Sequence, residues 1–290
     1  MKQITSSARE PQAWIAGIIR GFCAGPANTL QDATNERAWD EPLIGFAAGD
    51  DRLWQEYKEH VGPAHWTPAE IFAATFPAAR FQPADLTVIC WVLPQTAATR
   101  RDNRQETTYP AERWARSRIF GEAFNTRLRK HVAETLSAAG HEAVAPHLSP
   151  LWARQDSDRF VISSTWSERH AAYAAGLGTF GLCDGLITPV GKAVRVGAVV
   201  ARLAVTPTPR PYTHHRAYCL FHTDGSCGEC IGRCPVGALT QAGHDKLKCQ
   251  AHLDQTRAYV QKQYGFEGYG CGLCQTGVPC ESGIPIARGA

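Results

Sequence analysis

The sequence predicts an α/β (α+β) sandwich followed by a second, smaller domain built around cysteines, and three observations predict it. Leu86–Leu93 (LTVICWVL) is a continuous apolar run of strand length, rich in β-formers, and reads as a buried strand. Pro110–Gly140 is the longest helical pattern: Phe120, Phe124, Leu128, Val132 and Leu136 recur every four residues, and Gly140 supplies the stop. With Glu142–Pro146 as a short second strand, the first part of the chain alternates strand, helix and strand. Finally, eight of the eleven cysteines fall between Cys219 and Cys280. The proline-rich stretch Thr206-Pro-Thr-Pro-Arg-Pro211 marks a boundary, giving domains over 1–205 and 206–290.

Composition restricts what the two parts do. A hydrophobic content of 44% in 290 residues can fill a sizeable core. A net charge of +3, with no like-charge block beyond Arg100-Arg101, gives no electrostatic case for a nucleic-acid partner. The opening residues contain no apolar h-region, and no stretch approaches the ~18 apolar residues of a membrane helix. These features predict a soluble, cytoplasmic chain whose thiols stay reduced, with no membrane partner.

Along the chain, Ala13–Gly25 reads as a helix with Trp14, Ile15, Ile18, Ile19 and Phe22 on one face, and Cys23 as a small buried residue. A loop rich in Asn, Asp, Gly and Pro follows. Thr67-Pro68-Ala69-Glu70 has the form of a capping box with proline at the first helical position. Cys90, inside the apolar run, is expected in the core. Thr165 and Glu168 suggest a second capping box before an Ala-rich helix that ends at Gly176. Gly176-x-Gly178-x-x-Gly181 matches the dinucleotide fingerprint in letters but not in context, because it closes a helix instead of following a strand. Such glycines let the backbone approach something closely, either a flat cofactor or a packed neighbour. Val194–Val205 reads as a strand.

The cysteines carry the first chemical signal. Cys227-x2-Cys230-x3-Cys234-Pro235 is the core of the bacterial ferredoxin run, in which the cysteine before proline ligates the other cluster. The regular first ligand would stand at Asp224; Cys219 lies five residues earlier, and the intervening loop can return its sulfur. The sets are therefore Cys219, Cys227, Cys230 and Cys280 for one 4Fe–4S cluster, and Cys234, Cys249, Cys271 and Cys274 for the other, in a ferredoxin-like domain. A disulfide framework fits short secreted chains, and structural zinc also uses paired CxxC, but eight cysteines ending in Cys-Pro match two clusters better. His214, His215, His222, His244 and His252 are not needed as ligands.

The run from Glu168 to Arg195, ERHAAYAAGLGTFGLCDGLIT…VR, together with the cysteine tail, resembles the epoxyqueuosine reductases and reductive dehalogenases, over roughly Trp114 to Cys280. That resemblance implies a corrinoid-dependent reductase. Cobalamin would lie against an α/β domain and two clusters would feed it electrons. Gly176, Leu177, Gly178 and Gly181 would lie near the macrocycle, Leu186, Ile187 and Thr188 would line it, and Arg195 and Arg118 would grip its polar edge or an anionic substrate. Four departures stand out. Ile162 occupies the position of a catalytic aspartate, Gly181-Leu182-Cys183 replaces Gly-Lys-Asn, and Ile119-Phe120-Gly121 replaces Asp-Tyr-His. The chain also ends ten residues after Cys280, without a helical-repeat tail. Queuosine synthesis and an exported dehalogenase are thus both disfavoured, and another small-molecule substrate is expected.

With Ile162 unable to move a proton, the candidates in the signature are Cys183, Asp184, Tyr173, His170 and Glu168. Cys183 stands where the resemblance places a pocket asparagine; His170 and Tyr173 are three apart on one helical face; Glu168 is expected as the cap partner of Thr165. The leading expectation is a reductase taking single electrons from ferredoxin or flavodoxin. Its rivals are a plain electron carrier, and a reductase that uses another cofactor or the proximal cluster itself.

Overall fold

The computed structural model describes residues 10–157 and 161–287; the opening residues 1–9, read above for an h-region, lie outside them. Helix α1 spans Pro11–Ala24, strand β1 Leu43–Ala48, and helices α2 and α3 Leu53–His60 and Pro68–Thr75. Strand β2 (Leu86–Pro94) precedes α4 (Ala97–Gln105), α5 (Glu112–Arg116) and α6 (Glu122–Ala138). Then come β3 (Ala143–Val144), β4 (Arg154–Ser157), β5 (Val161–Ser164), α7 (Glu168–Ala174), β6 (Thr179–Phe180), β7 (Leu186–Ile187) and β8 (Val194–Arg202). The cysteine-bearing part has short elements, α8 (Leu220–Thr223), α9 (Glu229–Gly232), β9 (Leu239–Thr240) and β10 (Gly243–His244), and one long helix, α10 (Lys246–Tyr264).

The main sheet has the order β1-β2-β8-β3, and every neighbouring pair is antiparallel. The alternation of strand and helix in the sequence therefore resolves to an α+β sandwich. Strand β2 is buried along its whole length, which is why its sequence shows no polar face. Its side chains alternate between two cores. Val88, Cys90 and Val92, with Val196, Ala198 and Val200 of β8, pack towards Ile71 and Phe72 of α3 and Ala171 and Ala172 of α7. Ile89, Trp91 and Leu93, with Val199 and Ala201, pack towards Ile15 and Ile19 of α1 and Phe124, Leu128, Val132 and Leu136 of α6. Each Val, Leu, Ile or Phe among them contributes about 1.5–3 kcal/mol by leaving water.

Three expectations need correction. The stretch after α1 is not only loop: β1 lies in it and pairs with β2 from Leu43↔Val92 to Ala48↔Thr87. The pattern over Pro110–Gly140 is not one α-helix, because a π-helical turn over Ser117–Gly121 separates α5 from α6. There Gly121 abuts the Trp39 ring, its carbonyl accepts from Trp39 Nε1 at 3.1 Å, and an added Cβ would sit 2.7 Å from the ring. The Thr67–Glu70 capping box is present with both reciprocal hydrogen bonds, but Thr165 and Glu168 do not form one. Ser167 is the residue before α7, Thr165 Oγ1 accepts from the Ala153 N–H at 3.1 Å, and the Glu168 carboxylate faces Arg129. A buried guanidinium attracts that carboxylate more strongly than a local N–H does.

Candidate functional site

All eleven cysteines are free thiols. Cys23 and Cys90 sit in the sandwich cores. Cys219, at the start of α8, Cys227, Cys230 of α9 and Cys280 line one pocket together with Leu182, Ile187 and Lys192. Burial pushes the Cys230 thiol up to about 12, with Cys280 and Cys219 among the neighbours it feels. On the other side Cys271 is pushed up to about 11 by burial, and its thiol neighbours are Cys249 and Cys234. Cys274 feels Cys271. The loop carrying Cys271 and Cys274 is pinned from two sides. Asn103 Nδ2 donates to the Cys271 carbonyl at 3.2 Å, and Arg233 Nε donates to the carbonyls of Leu273 and Thr276 at 3.2 and 3.0 Å. Cys234 already accepts a backbone hydrogen bond at sulfur, from Ala238 N at 3.2 Å.

Among the described residues, no three or more His, Cys, Asp or Glu side chains converge on a point where a single metal ion could be held. A four-iron cluster takes one thiolate per iron, so its ligands surround a volume instead. Two groups of four free thiols, one of them around a pocket and the other taking an N–H to sulfur, fit that donor requirement.

The body of the chain reaches into this region through one hairpin. Helix α7 ends in a Schellman motif: Leu177 N donates to Ala172 O, Gly176 N to Tyr173 O, and Gly176 takes φ +77°. Strands β6 and β7 then pair, Thr179↔Ile187 and Phe180↔Leu186. At the tip, Gly181 N donates to Gly185 O and Asp184 N to Gly181 O. The tip carries Leu182 and Cys183 into the cluster of Cys219, Cys230 and Cys280. The Cys183 and Cys274 side chains pack in the same cluster. The neighbouring Cys274, aided by the Lys192 ammonium, holds Cys183 well below the ordinary thiol range. Asp184 pairs with His244 Nδ1 at 3.1 Å, and His244 is raised to about 10 by Asp184 and then by Cys249.

Lys192 carries no sequence signal, and it is 2% exposed. The turn from Thr188 to Gly191 delivers it, with Gly191 at φ +88° and so close to the cysteine loop that a Cβ would lie 2.2 Å from Glu281 O. Lys192 N donates to Cys280 O at 2.8 Å, and Lys192 lines the pocket with Cys219, Cys227, Cys230 and Cys280. Burial opposes its charge, but Cys183, Cys280, Cys274 and Cys230, in that order, favour it and hold the ammonium above the usual lysine range.

The residues assigned to a corrin ring fall into two groups. The side of Gly176 that lacks a Cβ meets Pro209 O at 2.5 Å, and that of Gly178 meets Ile187 O at 2.3 Å. Gly181 packs on Ile187, and Leu177, Leu186, Ile187 and Thr188 are buried. Of the two roles open to these glycines, the packed neighbour is the one these contacts show. Arg118, on the π-helical turn, and Arg195, on β8, do come together. Burial and the charge of Arg195 push Arg118 down to about 10, with Arg154 adding to the repulsion. Tyr269 and Glu122 face the same group, and Arg195 pairs with Glu122 at 3.0 Å. Arg118 thus feels the charges of Arg195 and Arg154, with the Glu122 carboxylate among them; Arg154 and Tyr269 had no motif to announce them. Ile162, on β5, accepts from Lys246 Nζ through its carbonyl at 3.1 Å.

Tyr173 and His170 lie in the sandwich, not beside the thiols. Tyr173 stacks on Tyr212, whose hydroxyl donates to the Tyr173 carbonyl at 2.7 Å. His170 pairs with Ser167 Oγ at 2.8 Å and packs on Tyr57 and Phe180. Burial holds it well below its ordinary value. His65 beside it accepts from Ser167 N at Nε2, its buried Nδ1 has no partner among the described residues, and burial lowers it to about 4. A histidine held neutral gives a definite pH dependence. Between its ordinary value of about 6.5 and about 4, the unfolded chain binds a proton that the folded chain refuses. Stability therefore falls as pH drops through that window, by about 2–3 kcal/mol for His65. Urea unfolding at pH 7 and pH 4.5 measures it, and His65→Phe should flatten much of the slope. An unchanged slope would show that His65 is not the group concerned.

Over 124 residues the chain is 36% identical to the epoxyqueuosine reductase of Bacillus anthracis, a match covering 41% of this chain and 30% of that protein. Over that stretch the chain is similar to the epoxyqueuosine reductases. The epoxyqueuosine reductase of Staphylococcus aureus is 29% identical over 171 residues, 57% of this chain and 40% of its own length, so the chain spans less than half of either relative. A solved epoxyqueuosine reductase bearing an epoxyqueuosine-modified tRNA-Tyr stem loop superposes with a TM-score of 0.48 at 20% identity, covering 86% of this chain and 63% of that one. No family model matches the chain. Among the described residues no helix is long and apolar enough to cross a membrane.

Proposed function

We propose that this chain is an iron–sulfur reductase. Residues 206–290 hold two 4Fe–4S clusters, one on Cys219, Cys227, Cys230 and Cys280 and the other on Cys234, Cys249, Cys271 and Cys274. Single low-potential electrons from a ferredoxin or flavodoxin pass through them to an acceptor beside Arg118, Arg154 and Arg195. The observation that carries this reading is the gathering of four free thiols around one pocket while the other thiols neighbour one another across the Cys271–Cys274 loop. Kinship to the epoxyqueuosine reductases supports the reaction class. The three arginines suit an acceptor with anionic groups. His244, kept protonated by Asp184, is a proton reservoir close to Cys249.

The acceptor that the family resemblance implies is cobalamin, which when bound would supply a strongly nucleophilic cobalt centre. The internal packing of Gly176 and Gly178 favours a second form of the same reading, in which the substrate is reduced without a corrinoid. One experiment separates them: anaerobic loading with iron and sulfide, metal assays, and absorption spectra before and after adding cobalamin. About eight irons per chain with a shifted corrinoid spectrum supports the cobalamin form; the same iron without uptake supports direct reduction. Zinc in place of iron would remove the reading altogether. Substrate screening then includes small organic acceptors and a modified tRNA stem loop, since a relative has been solved with one.

A further inference from the structure

We propose that Lys192 is a fixed buried cation placed between the two thiolate sets, where it raises the reduction potentials of the clusters they hold. This rests on the reading that the eight cysteines hold two clusters. The geometry is a contiguous packing. Lys192 lines the pocket with Cys219, Cys227, Cys230 and Cys280, its N–H donates to the Cys280 carbonyl at 2.8 Å, and its stem and the Cys183 sulfur both lie against Gly185; Cys183 packs in the cluster that Cys274, a residue of the other set, adjoins. Neither Lys192 nor Cys183 belongs to the eight, and both come from the α/β body, on either side of β7.

The physical case starts from cost. A lysine ammonium is strongly hydrated, and burying it to 2% exposure is unfavourable unless negative charge meets it. Here the groups it meets are sulfurs. A cluster held by four thiolates carries net negative charge and gains another on reduction. A cation beside the ligand sulfurs therefore favours the reduced form more than the oxidised form. Net charge and hydrogen bonds to sulfur are two of the factors that set such potentials. Salt screens a buried charge far less than a surface one, so the effect persists at physiological ionic strength. Gly191 is what makes the placement possible, since its positive φ and the carbonyl of Glu281 leave no room for a side chain there.

The two flanking residues are unequal. Lys192 acts by charge; Cys183, packed with Cys219, Cys230 and Cys280 and against Cys274, acts by contact alone. In an EPR-monitored redox titration of the loaded full chain, Lys192→Met should move both midpoint potentials downward. A tenfold loss in the reduction equilibrium corresponds to about 59 mV for one electron. Lys192→Arg, which keeps the charge, should stay near the wild type, and Cys183→Ala, which removes no fixed cation, should move the potentials less than Lys192→Met. Loaded Lys192→Met with unchanged potentials overturns the proposal. Should that variant fail to load, the wild-type chain labelled with ε-15N-lysine answers the question by pulsed EPR: a lysine nitrogen coupled to a reduced cluster supports it, and no coupled lysine nitrogen overturns it. A wild-type chain that takes up no iron would defeat the cluster reading itself, and with it this proposal, an outcome distinct from clusters present at unshifted potential.

Discussion

Replacing Arg129 by Met should cost about 3–5 kcal/mol of folding stability, the loss typical of breaking a buried ion pair by removing one partner. Arg129 is 1% exposed, and its guanidinium grips Glu168 with two hydrogen bonds of 2.6 Å. It also donates to Glu122 at 2.9 Å and to the Val196 carbonyl at 3.2 Å. The methionine would fill much of the volume but leave two carboxylates at the junction of α6, α7 and β8 with a buried cation gone. Arg195 would still neutralise Glu122, at 3.0 Å, while Glu168 would, among the described residues, keep the Ala198 N–H, at 3.2 Å. Against a typical total of about 5–15 kcal/mol, this is enough to shift the urea midpoint far or to prevent folding at 37 °C. Arg129→Lys should recover the charge but not the fork, and so fall in between. A loss below about 1 kcal/mol would mean that water reaches the network and that the pair is worth no more than a surface one.

The same network fixes an acid limit. Burial alone would raise the Glu122 carboxyl, but Arg195 and Arg129 outweigh it and hold the group below its usual range. A carboxylate depressed in the folded state contributes stability above its unfolded value, about 4.3, and that contribution disappears as pH falls through the lower folded value. The histidine effect begins at higher pH, near 6.5, so acid unfolding should proceed in two stages, His65 and His170 first and Glu122 later.

How far the sequence could be read depends on how local each cause is. Strand β2 was legible because burial on both faces leaves an uninterrupted apolar run, and Thr67–Glu70 because a capping box closes within four residues. The cysteine spacing was legible for the same reason. Strand β1, LIGFAA, was missed: Gly45 weakens its strand character, yet a Cβ there would lie 2.5 Å from Ala175 O, so close packing against α7 requires the glycine. Thr165 and Glu168 have capping-box spacing, but Arg129, 39 residues away, takes the carboxylate. Gly176–Gly181 matches a cofactor loop in letters, while its contacts are with Pro209 and Ile187. Lys192 was invisible because nothing near it in sequence announces burial among sulfurs; its position follows from a turn locked against Glu281.

The crossed division of the cysteines can be tested by counting iron in pairs of variants, with losses as large as a whole cluster. Cys230 and Cys234 are four residues apart in one motif, so a linear reading puts them on the same cluster. Their surroundings differ: Cys230 lines the pocket with Cys219, Cys227 and Cys280, whereas Cys234 is a neighbour of Cys271. Proline at 235 and Gly237 at φ +61° turn the chain just after Cys234, and Ala238 N returns to its sulfur at 3.2 Å. Either single change to Ala should lower the iron content from about eight to about four per chain. Cys234→Ala with Cys271→Ala should also leave about four, because both remove ligands from one cluster. Cys230→Ala with Cys234→Ala should leave none, because one ligand is lost from each. About four irons in that last variant would restore the linear assignment. It would also remove the basis for placing Lys192 between two sets, since Cys280 and Cys274 would then fall in one set.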